Sequence, residues 1–493
     1  MAATTTTTTK DITIVGGGII GCTTAYFLTR HPAYSPATHR ITLLEASSSS
    51  NKGGRTADSV ADPTALADTA AAAGAGGAGD KSVTACRPRK EHDGIASGAS
   101  GKAGGLLARW AFPRTIAPLS FRLHAELAAT HGGAAAWGYR RCTAAQAECR
   151  ASLVERKSKE AEEGSGGSGG GTKGLHKDHK KDKTGRGKSG APPELDWVHE
   201  DALLAYDEIG GPDDTAQVHP ELFTHRMAQL AEEAGACIVT GARVTAINTG
   251  GDGGAVQSVT YTVGDGDEGD TTHTLPTTDC VVAAGPWTPR LLPQVPVTAS
   301  RAHSIVVRAP PPGLSAHALF TSIALPRGFF PEPDSGAGDK GVRGRRALAR
   351  PTTVEPEIYA RPDGTAYACG PTDDAEELPD TAAAVRVDEA RCADIAAQVA
   401  AISGALAPPE GGDQDDGPGG ASANAHILAR QACYLPQGGP FIGPVSRAGR
   451  GVIVAAGHTC WGIQNAPATG LLVSELVFDG KASSANLAGC LPR

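Results

Sequence analysis

The chain has 493 residues, enough for two or three domains, and its formal net charge is −8 at pH 7. This negative charge gives no general reason to expect nucleic acid or an anionic membrane surface as a partner. Eleven cysteines are scattered without a CxxC motif. We therefore expect reduced thiols, with no disulfide framework and no metal site.

The N-terminal residues contain no apolar segment of the kind typical of a secretory signal. No apolar run approaches the roughly 18 residues that a membrane-spanning helix needs. We therefore predict a cytoplasmic protein without a membrane span, and the sequence leaves its oligomeric state open.

The first ordered stretch, DITIVGGGIIGCTTAYFLTRH, is typical of a strand, a glycine turn and a helix. Its GxGxxG motif consists of Gly16, Gly18 and Gly21. A second strand pattern, RITLLEA, brings Glu45 about 24 residues past Gly21. This combination indicates a dinucleotide-binding βαβ unit. The alternative is a glycine-rich strand–helix turn that binds no ligand.

Each position in this unit has a physical role. Gly16 permits the tight turn, Gly18 lets the backbone approach a pyrophosphate, and Gly21 lets the helix pack closely on the strand. Glu45 would accept a hydrogen bond from a ribose hydroxyl. An acidic side chain there argues against the 2′-phosphate of NADP, so the unit predicts FAD or NAD.

Two long biased segments interrupt the ordered pattern. The inserts at 47–93 and 157–194 contain too few apolar residues to pack, so we expect both to be disordered. The second carries a basic run without interleaved aromatic residues to stack on bases, so we predict no nucleic-acid partner. Shorter breaks rich in glycine and aspartate fall near 250–271, 332–346 and 409–420.

Regular patterns return between and after the inserts. Helical spacing covers 219–236 and 388–407, whereas 237–249, 279–285 and 451–457 are typical of strands. This mixture of helices and strands predicts an α/β protein.

Three more glycine-rich stretches lie far apart in the sequence. They are SGASGKAGGLLARW at 97–110, DCVVAAGPWTPRL at 279–291 and AAGHTCWGIQNAPATGLLVSELV at 455–477. Together with the first motif they favour a long cofactor that extends from an adenine to an isoalloxazine ring. We therefore predict FAD rather than NAD.

The chain resembles the D-amino-acid-oxidase-like family of FAD-dependent oxidoreductases, which contains sarcosine and glycine oxidases. The resemblance rests on IVGGGIIG, LLEA, GASGKAGGLLA, VVAAGPWT, QGGPFIGPV and GHTCWGIQNAPATGLLVSELV, in the family's order. Within the family, the chain is most similar to fungal and algal members whose substrate is unknown.

The resemblance implies an α/β fold with a Rossmann-like FAD-binding domain of the GR2 type, an interleaved mixed-sheet substrate domain and several low-complexity insertions. The FAD-binding domain would comprise 8–125, 215–300 and 425–493, and the substrate domain 126–214 and 301–424. The reaction implied is oxidation of a C–N bond in a small amine or amino-acid-like substrate, by hydride transfer to flavin N5. The rival function is flavin binding with little catalysis, in trafficking or assembly.

The resemblance also assigns cofactor contacts to individual positions. The residues that would contact FAD are Gly16, Gly18, Ile19, Ile20, Gly21, Glu45, Ser100, Gly101, Gly104, Gly105, Val244, Ala284, Gly285, Trp287, Gly457, Gly462 and Ile463. The backbone at Gly462 and Ile463 would direct the positive end of the last helix toward flavin N1 and O2. Negative charge develops there on reduction.

Three side chains near the predicted flavin give further hypotheses. His458 is either a catalytic proton carrier, because an unperturbed imidazole titrates near neutrality, or a capping or core histidine. Trp461 is a second catalytic hypothesis, with simple packing as its alternative. Cys433 matches the cysteine through which sarcosine oxidases attach flavin, so it is either a covalent flavin ligand or a buried core thiol.

The sequence departs from the family pattern where glycine and D-amino-acid oxidases hold a substrate carboxylate with an arginine. The corresponding residue is Leu435, so a carboxylate would lose its bidentate partner. The arginines that could substitute are Arg109, Arg301, Arg308 and Arg430. The segment ACGPTDDAEELP also lacks the lysine that sarcosine oxidases use to activate oxygen, which leaves a dehydrogenase open.

Overall fold

The structure is a computed structural model that describes residues 9–48, 93–151, 189–251, 254–264, 271–330, 350–407 and 425–492. The helices within these residues are α1 (Ile19–Leu28), α2 (Ala117–His131), α3 (Gly133–Trp137), α4 (Pro220–Glu233), α5 (Glu389–Ala400) and α6 (Gly462–Phe478). The strands are β1 (Lys10–Val15), β2 (His39–Glu45), β3 (Leu106–Ala108), β4 (Arg140–Arg141), β5 (Thr143–Arg150), β6 (Leu203–Gly210), β7 (Thr215–Gln217), β8 (Cys237–Thr240), β9 (Ala242–Thr249), β10 (Val256–Val263), β11 (Thr271–Pro276), β12 (Asp279–Val282), β13 (Thr298–Arg308), β14 (His317–Leu325), β15 (Thr352–Val354), β16 (Glu357–Ala360), β17 (Thr365–Cys369), β18 (His426–Gln437), β19 (Phe441–Pro444) and β20 (Val452–Ala456).

One sheet has the order β19-β20-β12-β1-β2-β8, and its strands are parallel except for β19. The four residues from Ile12 to Val15 in β1 are all buried. Such a continuous run is expected of a central parallel strand that is covered on both faces. The predicted strand–turn–helix unit is therefore confirmed, and it lies at the centre of this sheet.

Helices α1 and α6 pack closely against each other because a glycine faces a backbone carbonyl. A Cβ atom at Gly470 would lie 2.6 Å from the carbonyl oxygen of Thr23. The Thr23 hydroxyl in turn donates a hydrogen bond to the Ala466 carbonyl, at 3.0 Å. The small residues in the last sequence motif thus bring the final helix against the first one, beside the parallel sheet.

A larger sheet has the order β18-β13-β17-β16-β14-β5-β6, and β15 pairs with β14. The β14–β5 pair is parallel and the other neighbouring pairs are antiparallel, so the sheet is mixed. Helix α5 packs on one face of it, with Ile395 and Val399 in the same core cluster as Ile358 and Ile305. Two three-stranded sheets, β11-β10-β9 and β3-β7-β4, complete the predicted α/β architecture.

One predicted domain boundary, at 125/126, falls inside a helix, and another, at 424/425, separates two strands that pair with each other. Strand β18 lies in the segment predicted as 425–493, yet it pairs with β13 of the larger sheet along its whole length. Helix α2 extends beyond residue 125 and packs against α6 through Ser120, which accepts a hydrogen bond from the Ala468 N–H at 3.1 Å. Packing therefore assigns β18 to the larger sheet and all of α2 to the layer beside the parallel sheet.

The local predictions have mixed outcomes. Helix α4 lies in the helical pattern at 219–236, and α5 occupies the first part of the pattern at 388–407. The prediction of a break over 250–271 is wrong in its centre, where the β-branched residues of Val256–Val263 form β10 between two partners.

The predicted disordered inserts at 47–93 and 157–194 lie mostly outside the described residues. Residues 189–194 are described, however, and Ala191 is buried against the larger sheet. The breaks near 332–346 and 409–420 also lie outside the described residues.

Within the described part of the chain, no helix is both long and apolar enough to cross a membrane. The same residues contain no group of three or more His, Cys, Asp or Glu side chains that could hold a metal ion.

Candidate active site

A cavity lies at the carboxyl ends of β1, β2, β12 and β20, which is where ligands bind in open α/β sheets. The predicted site residues on its wall are Gly16, Gly18, Ile19, Ile20, Glu45, Ser100, Val244, Ala284, Gly285, Trp287, Gly457, His458, Gly462 and Ile463. Gly18 and Gly462 come from the first and last ordered blocks of the sequence, yet they line the same cavity.

Each glycine in the turn after β1 meets a different structural requirement. Gly16 has a φ of +111°, and a Cβ atom there would lie 2.4 Å from the Ala283 carbonyl oxygen. A Cβ atom at Gly21 would lie 2.0 Å from the Gly16 carbonyl oxygen, so Gly21 serves close packing inside the turn. Gly18 has an ordinary extended backbone and precedes the first residue of α1. Of the three, only Gly16 and Gly18 line the cavity.

Glu45 and Ser100 place polar atoms beside the start of α1. The Glu45 carboxylate accepts hydrogen bonds from the N–H groups of Gly17, at 2.6 Å, and Ser47, at 2.7 Å. Burial raises the pKa of Glu45, and these two N–H groups oppose that rise. The Ser100 hydroxyl oxygen accepts a hydrogen bond from the Ile19 N–H at 2.9 Å, so its proton can be donated to a phosphate oxygen.

The N-terminus of α6 is held against the cavity by buried polar contacts. Gln464 accepts a hydrogen bond from the Ala108 N–H at 2.9 Å and donates one to the Ala117 carbonyl at 3.0 Å. The first residue of the helix, Gly462, lines the cavity, and a Cβ atom there would lie 3.8 Å from the Cβ of His458. Two helix N-termini, those of α1 and α6, therefore face one cavity and favour an anionic ligand.

Three predicted FAD contacts, Gly101 on the pyrophosphate side and Gly104 and Gly105 at the flavin ring, are off the cavity wall as the structure describes it. A Cβ atom at Gly101 would lie 2.2 Å from the Ala96 carbonyl oxygen, and one at Gly104 would lie 2.4 Å from the Tyr359 ring. Gly105 has a φ of +89°, and a Cβ atom added there would lie 2.0 Å from the Val218 carbonyl oxygen. These glycines permit tight packing of the loop between the two sheets.

The two residues predicted to be catalytic lie in different environments. His458 lines the cavity but is buried, with Nε2 3.0 Å from the Thr469 hydroxyl, and burial lowers its pKa to about 3. The imidazole is therefore neutral at physiological pH, and the near-neutral titration that motivated a proton-carrier role does not apply. Trp461 lies off the wall and packs edge-on against Trp110, with ring centroids 5.8 Å apart.

Cys433 is buried in β18, and its residue is not on the described wall of the cavity. Burial raises the pKa of its thiol to about 11, partly offset by the charge of Lys102. A thiol that stays protonated in a packed strand is a poor nucleophile. Its environment matches the alternative of a core thiol.

We expect FAD to be released intact when the protein is precipitated with acid. Because Cys433 is buried, protonated and off the wall, no thioether should retain the flavin. The measurement is the yellow absorbance of the supernatant and of the washed pellet. A pellet that stays yellow in wild type but is colourless in Cys433→Ser would contradict this expectation.

One part of the cavity wall was not predicted from the sequence. Asp380, Thr381 and Ala382 line the cavity, although they lie in a stretch without a glycine motif. They are held there by neighbours: the Trp287 indole N–H donates to the Pro379 carbonyl at 2.6 Å, and Arg290 pairs with Asp380 at 3.0 Å. The wall also includes Thr459, whose φ of +54° is unusual for a non-glycine residue.

None of the four arginines proposed to replace the missing carboxylate partner lines the described cavity, whereas Leu435 does. Arg109 is exposed and pairs with Asp214, and Arg308 and Arg430 are exposed as well. Arg301 is buried, but Asp373 and Glu376 neutralise it at 3.1 Å and 2.9 Å. The wall does include Arg243 and Arg290, and both have Asp380 as an ion-pair partner.

The glycine turn, the parallel sheet and the cavity at its carboxyl edge define a dinucleotide-binding α/β protein. More specifically, the chain belongs to the FAD dependent oxidoreductase family, whose model matches residues 11–476. Its cofactor is accordingly FAD, and the protein is an oxidoreductase.

The chain is 27% identical, over 582 aligned residues, to a Saccharomyces cerevisiae protein named "Putative oxidoreductase TDA3", and the match covers 98% of this chain and 94% of that protein. It resembles the structure of glycine oxidase from Bacillus cereus, with a TM-score of 0.57, 16% identity and 96% of each chain covered. It also resembles L-proline dehydrogenase from P. horikoshii, with a TM-score of 0.55, 13% identity, and 98% of this chain and 97% of that one covered. These structural similarities show the fold.

The residues at the cavity fit FAD. Main-chain N–H groups at the start of α1, the Ser100 hydroxyl and the Glu45 carboxylate are the donors and acceptors that a pyrophosphate and a ribose require. The turn at Gly16 leaves no space for a side chain, so the backbone itself forms this part of the wall.

Proposed function

We propose that the protein oxidises a C–N bond of a small amine or amino-acid-like substrate, using FAD held in this cavity. The observation that carries the proposal is the placement of Gly18 and Gly462, at the N-termini of α1 and α6, on one wall. An extended cofactor with its pyrophosphate near α1 can then bring its redox-active end near α6.

FAD supplies the redox chemistry by accepting a hydride from the substrate carbon, and the chain supplies binding, orientation and electrostatics. We assign Glu45 and Ser100 to the nucleotide end, where their oxygens can hydrogen-bond ribose and phosphate. The first N–H groups of α6, at Gly462 and Ile463, place a positive dipole end where negative charge develops. We assign His458 a packing role, because it is neutral and hydrogen-bonded to Thr469.

The purified protein is expected to be yellow, with a flavin band at about 450 nm, because FAD is its cofactor. Under anaerobic conditions, at least one member of a panel of amines, N-methyl amino acids and D-amino acids should bleach this band. Bleaching is read as oxidation of the C–N bond by the flavin only if the same compound without its α-hydrogens has no effect. A yellow protein that no panel member bleaches would support the rival function of flavin binding with little catalysis.

Two further questions belong to the proposal: which electron acceptor reoxidises the flavin, and where in the cell the protein acts. Reoxidation of the bleached protein by air, compared with reoxidation by an artificial dye, separates an oxidase from a dehydrogenase. The ten described cysteines are free thiols, which supports our expectation of a reducing, cytoplasmic setting.

A further inference from the structure

A cluster of polar and aromatic side chains lies on the face of the larger sheet opposite to α5. Glu357 in β16 stands in register between Phe320 of β14 and Cys369 of β17. Two residues further along the same face, Tyr359 is paired with Tyr367. The intervening Ile358 points to the other side, into the core that packs on α5. This cluster contains Phe320, Glu357, Tyr359, Tyr367 and Cys369, and it is called the Glu357 cluster below.

The Glu357 cluster lies beside the segments that form the flavin end of the proposed site. The Tyr359 ring is in contact with the backbone at Gly104, where a Cβ atom would lie 2.4 Å away. On the other side, Trp110 packs against the core cluster that contains Tyr359. The Trp110 ring lies edge-on to Trp461, the residue that follows Cys460 of the cavity wall, so side-chain packing connects the Glu357 cluster to that wall.

The carboxylate of Glu357 has polar neighbours but, in the part of the chain that the structure describes, no cationic partner. The Tyr359 hydroxyl donates a hydrogen bond to it, and the Cys369 thiol lies 3.8 Å from its Oε2. Among the described residues, no lysine, arginine or histidine forms an ion pair with Glu357. Burial raises the pKa of Glu357, which reflects the cost of holding a partly desolvated negative charge.

The aromatic side chains of the cluster add a second feature that favours a positive charge. The Tyr359 ring centroid lies 5.8 Å from that of Tyr367 and 6.3 Å from that of Phe320, and the Phe320 ring stands edge-on to it. Ring faces attract ammonium groups, and a carboxylate beside them strengthens this preference. A bound cation would supply the partner that Glu357 lacks.

We infer that the Glu357 cluster binds the positively charged ammonium group of the substrate, so that the enzyme selects cationic amines rather than carboxylates. This inference rests on the proposed function and adds its substrate class. It also agrees with the residues that could hold a substrate carboxylate. Leu435 stands where an arginine is expected, and Arg301 is already neutralised by two carboxylates. A carboxylate would meet a negative side chain here, and neither Leu435 nor the neutralised Arg301 could hold it.

The test compares two ligands that share a tert-butyl group and carry opposite charges. Full-length protein with FAD bound is titrated at neutral pH with tert-butylammonium and, separately, with trimethylacetate. Neither is oxidised at a C–N bond, because the carbon attached to nitrogen in tert-butylammonium carries no hydrogen. Binding is followed as a saturable shift of the flavin absorption band. Wild type is expected to bind the ammonium ion at least 10-fold more tightly than the carboxylate.

Substitutions locate the effect. Glu357→Gln should weaken tert-butylammonium binding at least 10-fold while FAD stays bound, and Tyr359→Phe should weaken it by a smaller factor. The matched control is Glu355→Gln, which changes an exposed glutamate two residues away and should leave binding unchanged. If Glu357→Gln does not retain FAD, the charge preference of wild type and the Tyr359→Phe titration still decide.

The outcomes separate this inference from the proposed function. Preferential binding of trimethylacetate, or equal ammonium binding in wild type and Glu357→Gln, would overturn the inference even if amino acids bleach the flavin. Selective ammonium binding that depends on Glu357 supports the inference even if no amine in the panel bleaches the flavin. In that second case the proposed oxidation of a C–N bond is contradicted, and the ammonium-binding site is not.

Discussion

Replacing Gly18 with aspartate is expected to leave the apoprotein as stable as wild type and to lower its affinity for FAD at least 100-fold, which is about 2.7 kcal/mol. Gly18 precedes α1 with φ −75° and ψ 177°, a conformation open to any residue. The closest atom to a new Cβ would be the Ser100 hydroxyl oxygen, at 3.1 Å, at the end of a side chain that can rotate.

The large expected effect on binding arises because the new carboxylate would take the place of the ligand. Aspartate is a favoured residue before a helix, since its side chain accepts hydrogen bonds from the first free N–H groups and its charge complements the helix dipole. Those are the N–H groups that we assign to the FAD pyrophosphate. The substitution therefore satisfies the helix and repels the cofactor at the same position.

The Gly18 prediction is measured by the FAD content of the purified variant, by titration of the apoprotein with FAD and by thermal unfolding of both apoproteins. Gly18→Asn is the matched control, because it has the same shape and caps a helix equally well without the charge. It should lose less affinity than Gly18→Asp. A Gly18→Asp protein that is purified with a full complement of FAD would show that the pyrophosphate does not lie at α1.

Local sequence patterns predicted the parts of this site that depend on neighbouring residues. The turn at Gly16, the start of α1 and the acidic residue at the end of β2 follow from spacing alone, because each is fixed by one strand–turn–helix unit. The FAD contacts at Gly101, Gly104 and Gly105 are implied by the family resemblance instead of by spacing. Their use differs, because contacts with Ala96, Tyr359 and Val218 account for the missing side chains.

Other features depend on contacts between distant segments, which a single sequence does not reveal. Glu357 has no motif around it, and it becomes notable only because sheet register sets it beside Phe320 and Cys369. His458 was recognised, but its burial and its contact with Thr469 come from the packing of α6. The wall segment at Asp380 is likewise held in place by remote partners.

Replacing Asp373 with asparagine is expected to destabilise the protein by about 3 kcal/mol at neutral pH, since it removes one partner of a buried ion pair. The Asp373 side chain is 8% exposed, and that of Arg301 is 3% exposed. The same carboxylate accepts the Ala375 N–H at 3.0 Å. Two backbone hydrogen bonds between Arg301 and Asp373, at 2.8 Å and 2.7 Å, fix the chain segment that follows.

The pH dependence of the Asp373 effect has a definite sign. Burial alone would raise the pKa of Asp373, but the Ala375 N–H and Arg301 together hold it below its ordinary value of 3.8. A carboxylate with a lowered folded-state pKa contributes stability that is present above the unfolded-state pKa and is lost as the pH falls through the folded-state pKa. The difference in unfolding free energy between wild type and Asp373→Asn should therefore be constant near neutrality and shrink in acid, below about pH 4.

The measurement is denaturant unfolding of both proteins across this pH range, with Asp374→Asn as the control because Asp374 is exposed. Flavin binding should weaken together with stability, since the segment anchored by Asp373 continues to the cavity wall at Asp380. A constant deficit from neutral to strongly acidic pH would mean that asparagine disturbs packing rather than charge. Full stability at neutral pH would mean that Glu376 alone suffices to neutralise Arg301.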